Sequence, residues 1–238
     1  MSRQDALSPV GRETLHDRVY GELRRSLIHG MFDAGEMLRI QDIADRLQTS
    51  TMPVREALGR LVSEQALEAL PNRSVRVPVI TREKLEDLAR ARCLIEGEMV
   101  ALALPNLSID DLAQLRALTH ACDAAFSGDQ SMRAGQSSEL NHAFHFHVYR
   151  AAASPVLIPI VESLWLQSGP YVRAAAQIHD QSQDLSATHF HWLLIKALET
   201  RDKAAAVRAL KDDITRSFNL IRERLDEPEV ATEDAKYG

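Results

Sequence analysis

The run Ser50-Thr51-Met52-Pro53-Val54-Arg55-Glu56-Ala57-Leu58 constrains this chain more than any other stretch. It follows an amphipathic segment, residues 40–47, after only two residues. Segments so closely joined read as two short helices linked by a tight turn, the second shaped to lie in a DNA major groove. Ser50 or Thr51 can cap that second helix. Pro53 is tolerated in its first turn, where its missing N–H would have no helical partner. Val54, Leu58, Leu61 and Val62 form an inward stripe, Arg55 and Arg60 flank it, and Met52 and Glu56 point more outward.

The flanking segments complete a small domain. Leu15, Val19, Leu23 and Leu27 recur every fourth residue within 13–29 and mark one face of a helix, which Gly30 is placed to stop. Residues 31–37 read as a loop. Extended runs at 66–70 and 75–79, separated by Pro71-Asn72-Arg73-Ser74, read as a hairpin, the wing of a winged helix. Thr81, in the hinge, is a good helix cap. Beyond it the spacing predicts six or seven helices, roughly 82–104, 108–127, 132–153, 155–168, 170–180, 184–200 and 203–225. Pro105, Gly128, Pro155, Gly169-Pro170 and Arg201-Asp202 supply the breaks. Aromatic residues are only 5% of the chain, and abundant Ala and Leu favour helix packing over a sheet. The expected fold is mainly α: a flexible arm (1–12), a winged helix-turn-helix (13–80), an all-α helical bundle (81–225) and an acidic, disordered tail (226–238).

Charge limits what such a chain can do. The formal net charge is -6, which argues against a protein that simply coats nucleic acid. Residues 1–80 hold 11 basic and 11 acidic side chains, so a DNA reader here must gather its arginines on one face. The two cysteines, Cys93 and Cys122, sit in helix patterns and read as small packing thiols rather than a disulfide. No signal peptide opens the chain and no apolar run is long enough to span a bilayer, so the cytoplasm is the expected compartment, with no membrane partner.

With these residues in view, positions 13–80 resemble the winged helix-turn-helix of the GntR superfamily of bacterial transcription regulators, most specifically through Pro53-Val54-Arg55-Glu56-Ala57-Leu58. Residues 82–225 resemble the helical ligand-binding domain of the FadR-type branch, called FCD. The matches are Arg92-Cys93-Leu94-Ile95-Glu96, Phe144-His145, and His191 ahead of Ala197-Leu198 and Asp202. The resemblance implies a homodimer, a pseudo-palindromic operator in double-stranded DNA, and a repressor controlled by a small organic acid. It carries the DNA contacts onto Ser50, Thr51, Met52, Arg55, Arg60 and, at the wing tip, Arg73. Arg55 can fork onto a guanine edge, or else pair with a carboxylate such as Asp42. The chain departs from the family pattern at Thr51, where arginine is usual, at Met52, where threonine is usual, at Gln41, and at Ser74, where glycine is usual. A lost bidentate arginine contact is worth about 1–3 kcal/mol, so an atypical operator is expected.

Many members of the resembled family hold a divalent metal in the helical domain with one Asp and three His. Carried across, those positions are Asn141, His145, His191 and Asp213. Two imidazoles and one carboxylate remain a reasonable set for zinc, nickel, manganese or iron, with an Asn carbonyl as a weak fourth ligand. The alternative is a metal-free pocket in which the same residues bind an acid directly. Arg92, four residues before Glu96, either pairs with it locally or clamps an effector carboxylate. His142 and His147 read as surface or packing residues, Tyr171 and Arg173 as weaker cavity candidates, and Trp165 and Trp192 as core. Two other functions stay in view. A metal-dependent enzyme would use the His clusters, but no His-Glu-x-x-His, Gly-rich phosphate loop or nucleophile elbow is present, and no catalytic residue is expected. A sensor acting through protein contacts without specific DNA binding is suggested by Thr51 and Met52.

Overall fold

The computed structural model describes residues 14–71, 74–127, 130–178 and 186–226. The expected arm at 1–12, the wing-tip Arg73 and the tail beyond Asp226 lie outside the described residues. Helix α1, Leu15–Ile28, begins in a capping box: Thr14 Oγ1 accepts from Asp17 N–H at 3.2 Å and Asp17 Oδ2 accepts from Thr14 N–H at 3.1 Å. It ends as a glycine stop should, with Gly30 at φ +62, Gly30 N–H donating to Leu27 O and Met31 N–H to Ser26 O. Helices α2, Ile40–Arg46, and α3, Thr51–Ser63, follow; of the two candidate caps Ser50 takes the position, though its side chain makes no capping bond. Strands β1, Met37–Leu38, β2, Glu68–Ala69, and β3, Val75–Arg76, form an antiparallel sheet in the order β1-β3-β2. The wing is therefore a hairpin as expected, but its second partner, β1, lies at the end of a stretch read as loop, too short to show a period of two.

Six helices follow among the described residues: α4, Arg82–Ala103; α5, Ile109–Ser127; α6, Gln130–Ala151; α7, Leu157–Ile178; α8, His189–Glu199; and α9, Lys203–Asp226. Thr81 caps α4 by accepting from Lys84 N–H. Helix α9 packs on α4, α7 and α8, and α6 packs on α4, α5 and α7, around Phe144, Trp165 and Phe218. The break expected at Gly169-Pro170 is absent, and α7 runs straight through both residues. An interior proline costs about 3 kcal/mol or more. The burial of Val161, Trp165, Leu166 and Tyr171 along the same helix outweighs it. No helix among the described residues is long and apolar enough to cross a membrane.

The winged domain rests on α7. A Cβ at Gly169 would lie 1.8 Å from Leu27 O, so only glycine admits the end of α1 here. Arg173 donates to Asp33 Oδ1 at 2.7 Å and to Gly30 O at 2.8 Å. It thus binds the winged domain rather than lining a cavity. Arg24 and Glu162 add a third tie, at 3.3 Å.

Candidate functional site

The outer face of the winged domain presents the start of α3. Ser50, Met52 and Arg55 are exposed and Thr51 is half-buried, while Pro53, Val54, Ala57 and Leu58 hold the helix to the core. No ion pair engages Arg55 among the described residues, so the expected alternative of a pairing with Asp42 is not what the structure shows; Glu56 pairs with His16 instead. Arg60 differs. Its guanidinium lies 3.6 Å over the Tyr20 ring and its Nε donates to Glu64 at 3.1 Å, a carboxylate that also accepts from Tyr20. Arg60 is held within the domain's own framework, half a helix turn too far along α3 to share Arg55's face.

Inside the helical domain, three helices bring a compact polar cluster together. Asn141 and His145 lie one turn apart on α6, His191 opens α8, and Asp213 sits midway along α9. His145 Nε2 lies 3.1 Å from Asp213 Oδ2, and His191 Nε2 lies 3.9 Å from that oxygen and 3.1 Å from Asn141 Oδ1. Phe144 stacks on the His191 ring at 3.9 Å. Both histidines are buried and the Asp213 side chain is 14% exposed. Burial pushes His191 down to about 4, so at neutral pH it is an uncharged imidazole with a lone pair to offer. Burial works against ionisation of Asp213, yet the hydrogen bond from His145 and the nearby Arg92 charge hold it below the usual carboxylate range.

This donor set fits a divalent ion. One ligand atom from each of His145, His191 and Asp213 lies within 4.8 Å of the others, and neutral imidazole with ionised carboxylate is the form that ligates. The four positions carried over from sequence do converge, with the carboxylate on α9 where the resembled pattern has it on α6.

Asn141, His191 and Asp213 line one wall of a small pocket that opens to solvent. Val172, Ala175 and Ala176 of α7 form the facing wall, and Ser138 and Arg216 supply further polar groups. Arg216 is the residue that sequence reasoning missed, although it stands three after Asp213 on the same helix face. It donates to Ser186 O at 2.6 Å, and burial lowers its pKa against the opposing pull of Asp213. Ser138 Oγ is buried with no hydrogen-bond partner among the described residues.

Arg92 corrects the expectation of an effector clamp. It is 3% exposed, absent from the cavity wall, and forked onto Glu96 at 2.6 and 3.2 Å with Trp165 beneath it at 4.3 Å. Its charge is answered locally, the first of the two readings of the Arg92/Glu96 spacing. His142 stacks on Phe146 at 4.1 Å, and His147 pairs with Asp111 at 3.0 Å, as packing and surface residues. Trp165 is core, and Trp192 packs half-buried with its indole N–H on Asp123.

Comparison with known proteins supplies the frame for both sites. Residues 15–77 match the model described as bacterial regulatory proteins, gntR family, and residues 87–216 match the FCD domain. The HTH-type transcriptional regulator McbR of Escherichia coli (strain K12) is 29% identical over 86% of this chain and 91% of its own length. The HTH-type transcriptional repressor GlaR of the same organism is 25% identical over 87% of this chain and 95% of its own. The Nta operon transcriptional regulator of Aminobacter aminovorans is 30% identical over 74% and 80%. The solved structure of E. coli McbR/YncC covers 90% of this chain and 100% of that one, with a TM-score of 0.81.

Proposed function

This chain belongs to the gntR family of bacterial regulatory proteins and carries their FCD domain, and on that premise we propose that a small organic acid in its helical cavity controls operator binding by a homodimer. It is a DNA-binding transcription regulator. One observation carries the effector reading: His191 and Asp213 of the cluster line a pocket together with Arg216 and Ser138, whose buried Oγ has no hydrogen-bond partner among the described residues. Cation, ligand atoms and hydroxyl converge where a carboxylate would need them.

In this reading His145, His191 and Asp213 hold one zinc, nickel, manganese or iron ion, with the Asn141 carbonyl beside it. A bound ion would offer its open positions to a carboxylate oxygen. Arg216 neutralises the acid and Ser138 donates to it. At the other end, each reader of the dimer sets α3 in a major groove of a two-fold-related site. Ser50 and Thr51 hold a phosphate, Arg55 reads a guanine edge, and Met52 meets a thymine methyl. The acid acts by favouring one dimer geometry over another, and release on binding makes the protein a repressor, as the relative GlaR is named. A protein of this type works in the cytoplasm. The reader domain favours regulation over metal-dependent catalysis, and the exposed Arg55 favours DNA over a purely protein-directed sensor.

The test is selection of genomic fragments by the full-length chain, followed by competition with a panel of small carboxylic acids. Arg55→Ala should lose at least tenfold in operator affinity, the loss of one bidentate base contact. Arg216→Ala should bind the operator normally and no longer respond to the acid that releases the wild type. An Arg55→Ala protein that binds like wild type would reject the reader face. An Arg216→Ala protein that still responds would reject the carboxylate clamp.

A further inference from the structure

The pocket beside the cluster takes its polar groups from some helices and none from others. Val172, Ala175 and Ala176 share one face of α7, and Cys122 and Phe126 share one face of α5, through their i, i+3 and i+4 spacing. These two helices line the pocket with carbon and a single sulfur. Among the described residues, every side-chain oxygen or nitrogen in the lining belongs to α6, α8 or α9. The sulfur offers little to a ligand. Burial pushes the Cys122 thiol up to about 12, so it stays protonated, and it is directed at Ser137 O. Backbone amides of α5 and α7 are no substitute, since the N–H groups of these turns are bonded within their own helices. On the polar side, Ser138 Oγ is buried with no hydrogen-bond partner among the described residues, and Arg216 supplies a cation.

This division selects among acids. A ligand hydroxyl set against α5 or α7 sheds its water and gains no hydrogen bond, which costs about 5–150-fold in affinity. A second carboxylate there costs more, because it is charged. A methylene in the same place gains about fourfold. We propose that the effector is a small monocarboxylic acid with an apolar chain, its carboxylate at Ser138 and Arg216 and its carbons on the bare walls of α5 and α7. Dicarboxylates and polyhydroxylated sugar acids are turned away by those walls. A hydroxyl on the carbon next to the carboxylate stays among the groups of α6, α8 and α9 and is accepted. The inference rests on the effector reading given above and narrows it to one class of acid; it holds with or without an ion in the cluster.

The experiment is calorimetric titration of the full-length chain with matched acids, once with zinc chloride and once after EDTA. Acetate, propionate and butyrate should bind progressively more tightly, by about fourfold for each methylene that reaches the walls. Butyrate with a terminal hydroxyl, and succinate with its second carboxylate at the far end, should each bind at least about fivefold more weakly than butyrate. Lactate, hydroxylated beside its carboxylate, should match propionate. Val172→Thr keeps the shape of the α7 wall and gives it one hydroxyl, so it should narrow the gap between butyrate and its hydroxylated partner; the wild-type series stands without it. Succinate or the hydroxylated butyrate binding as tightly as butyrate, and losing that affinity in Arg216→Ala, overturns this inference and leaves the effector reading intact. A gap unchanged in a folded Val172→Thr also overturns it. No binding by any acid in either condition, or binding indifferent to Arg216→Ala, rejects the effector reading itself and this inference with it.

Discussion

A buried and a half-buried histidine, His191 and His142, tie stability to pH. Burial is the first cause in each case, lowering His191 to about 4 and His142 to about 3. Unfolded, both sit near 6.5, so between that value and the folded ones the unfolded chain binds more protons. The stability they contribute is full above pH 6.5 and falls as the pH drops through this window, by about 3 kcal/mol for His191. Asp213, with its depressed pKa, adds a further loss only below the ordinary carboxylate range. Urea unfolding of the EDTA-treated protein should show a midpoint that declines between pH 6.5 and pH 4.5, and His142→Phe should flatten part of that decline. A midpoint constant over the interval would mean that these imidazoles are not held neutral. Sequence made His145, His191 and Asp213 visible because their spacing matched a family pattern. Arg216 stayed hidden, because an arginine on a long amphipathic helix carries no mark of the cavity it will meet. Arg92 was visible but ambiguous: the i, i+4 spacing to Glu96 is the same whether the pair faces solvent or the interior.

At the scale of elements, α7 joins the two functions. Its Val172, Ala175 and Ala176 line the cavity, while Gly169 and Arg173 receive the end of α1. Any ligand that shifts α7 shifts the seat of the reader. Gly169→Ala tests how close that seat is, since the added methyl meets backbone at Leu27 rather than a yielding side chain. The overpacking should cost about 1–3 kcal/mol and lower the thermal midpoint, with faster amide exchange over residues 26–32. A variant with wild-type midpoint and exchange would show that the two domains do not depend on this contact. The same pair of residues explains why the helix count was ambiguous in sequence. Gly-Pro is a strong local breaker, and only the burial of the residues on both sides of it, a property of the whole bundle, carries the helix through. Caps and stops that depend on near neighbours, such as Gly30 and Thr81, were legible. Strand β1 was not, because it pairs with residues far along the chain and is only two residues long.

For the whole molecule, an ion held by the cluster would tie binding to folding. Its three ligands come from α6, α8 and α9, and only the folded chain brings them within reach of one another. An ion that binds the folded state alone stabilises it by mass action, about 2.7 kcal/mol when its free concentration is a hundred times Kd. The cluster is also the only link among α6, α8 and α9 that is made of ligating side chains among the described residues, so the added stability should reach all three helices and the cavity they enclose. The thermal midpoint should therefore rise when zinc or nickel is added to EDTA-treated protein and fall again with chelator. Asp213→Asn, which keeps the shape and removes the charge, should abolish the rise without unfolding the protein. If wild type melts at one temperature in zinc and in EDTA, the histidines and Asp213 meet the effector directly. The acid would then be held by Arg216 and Ser138, with neutral His191 as a hydrogen-bonding partner. If the midpoint rises equally in Asp213→Asn, the ion binds elsewhere and the cluster is not its site. Either result leaves the DNA reader untouched, because Arg55 and the start of α3 stand on the far side of the winged domain's own core, held by Val54, Leu58 and Leu61.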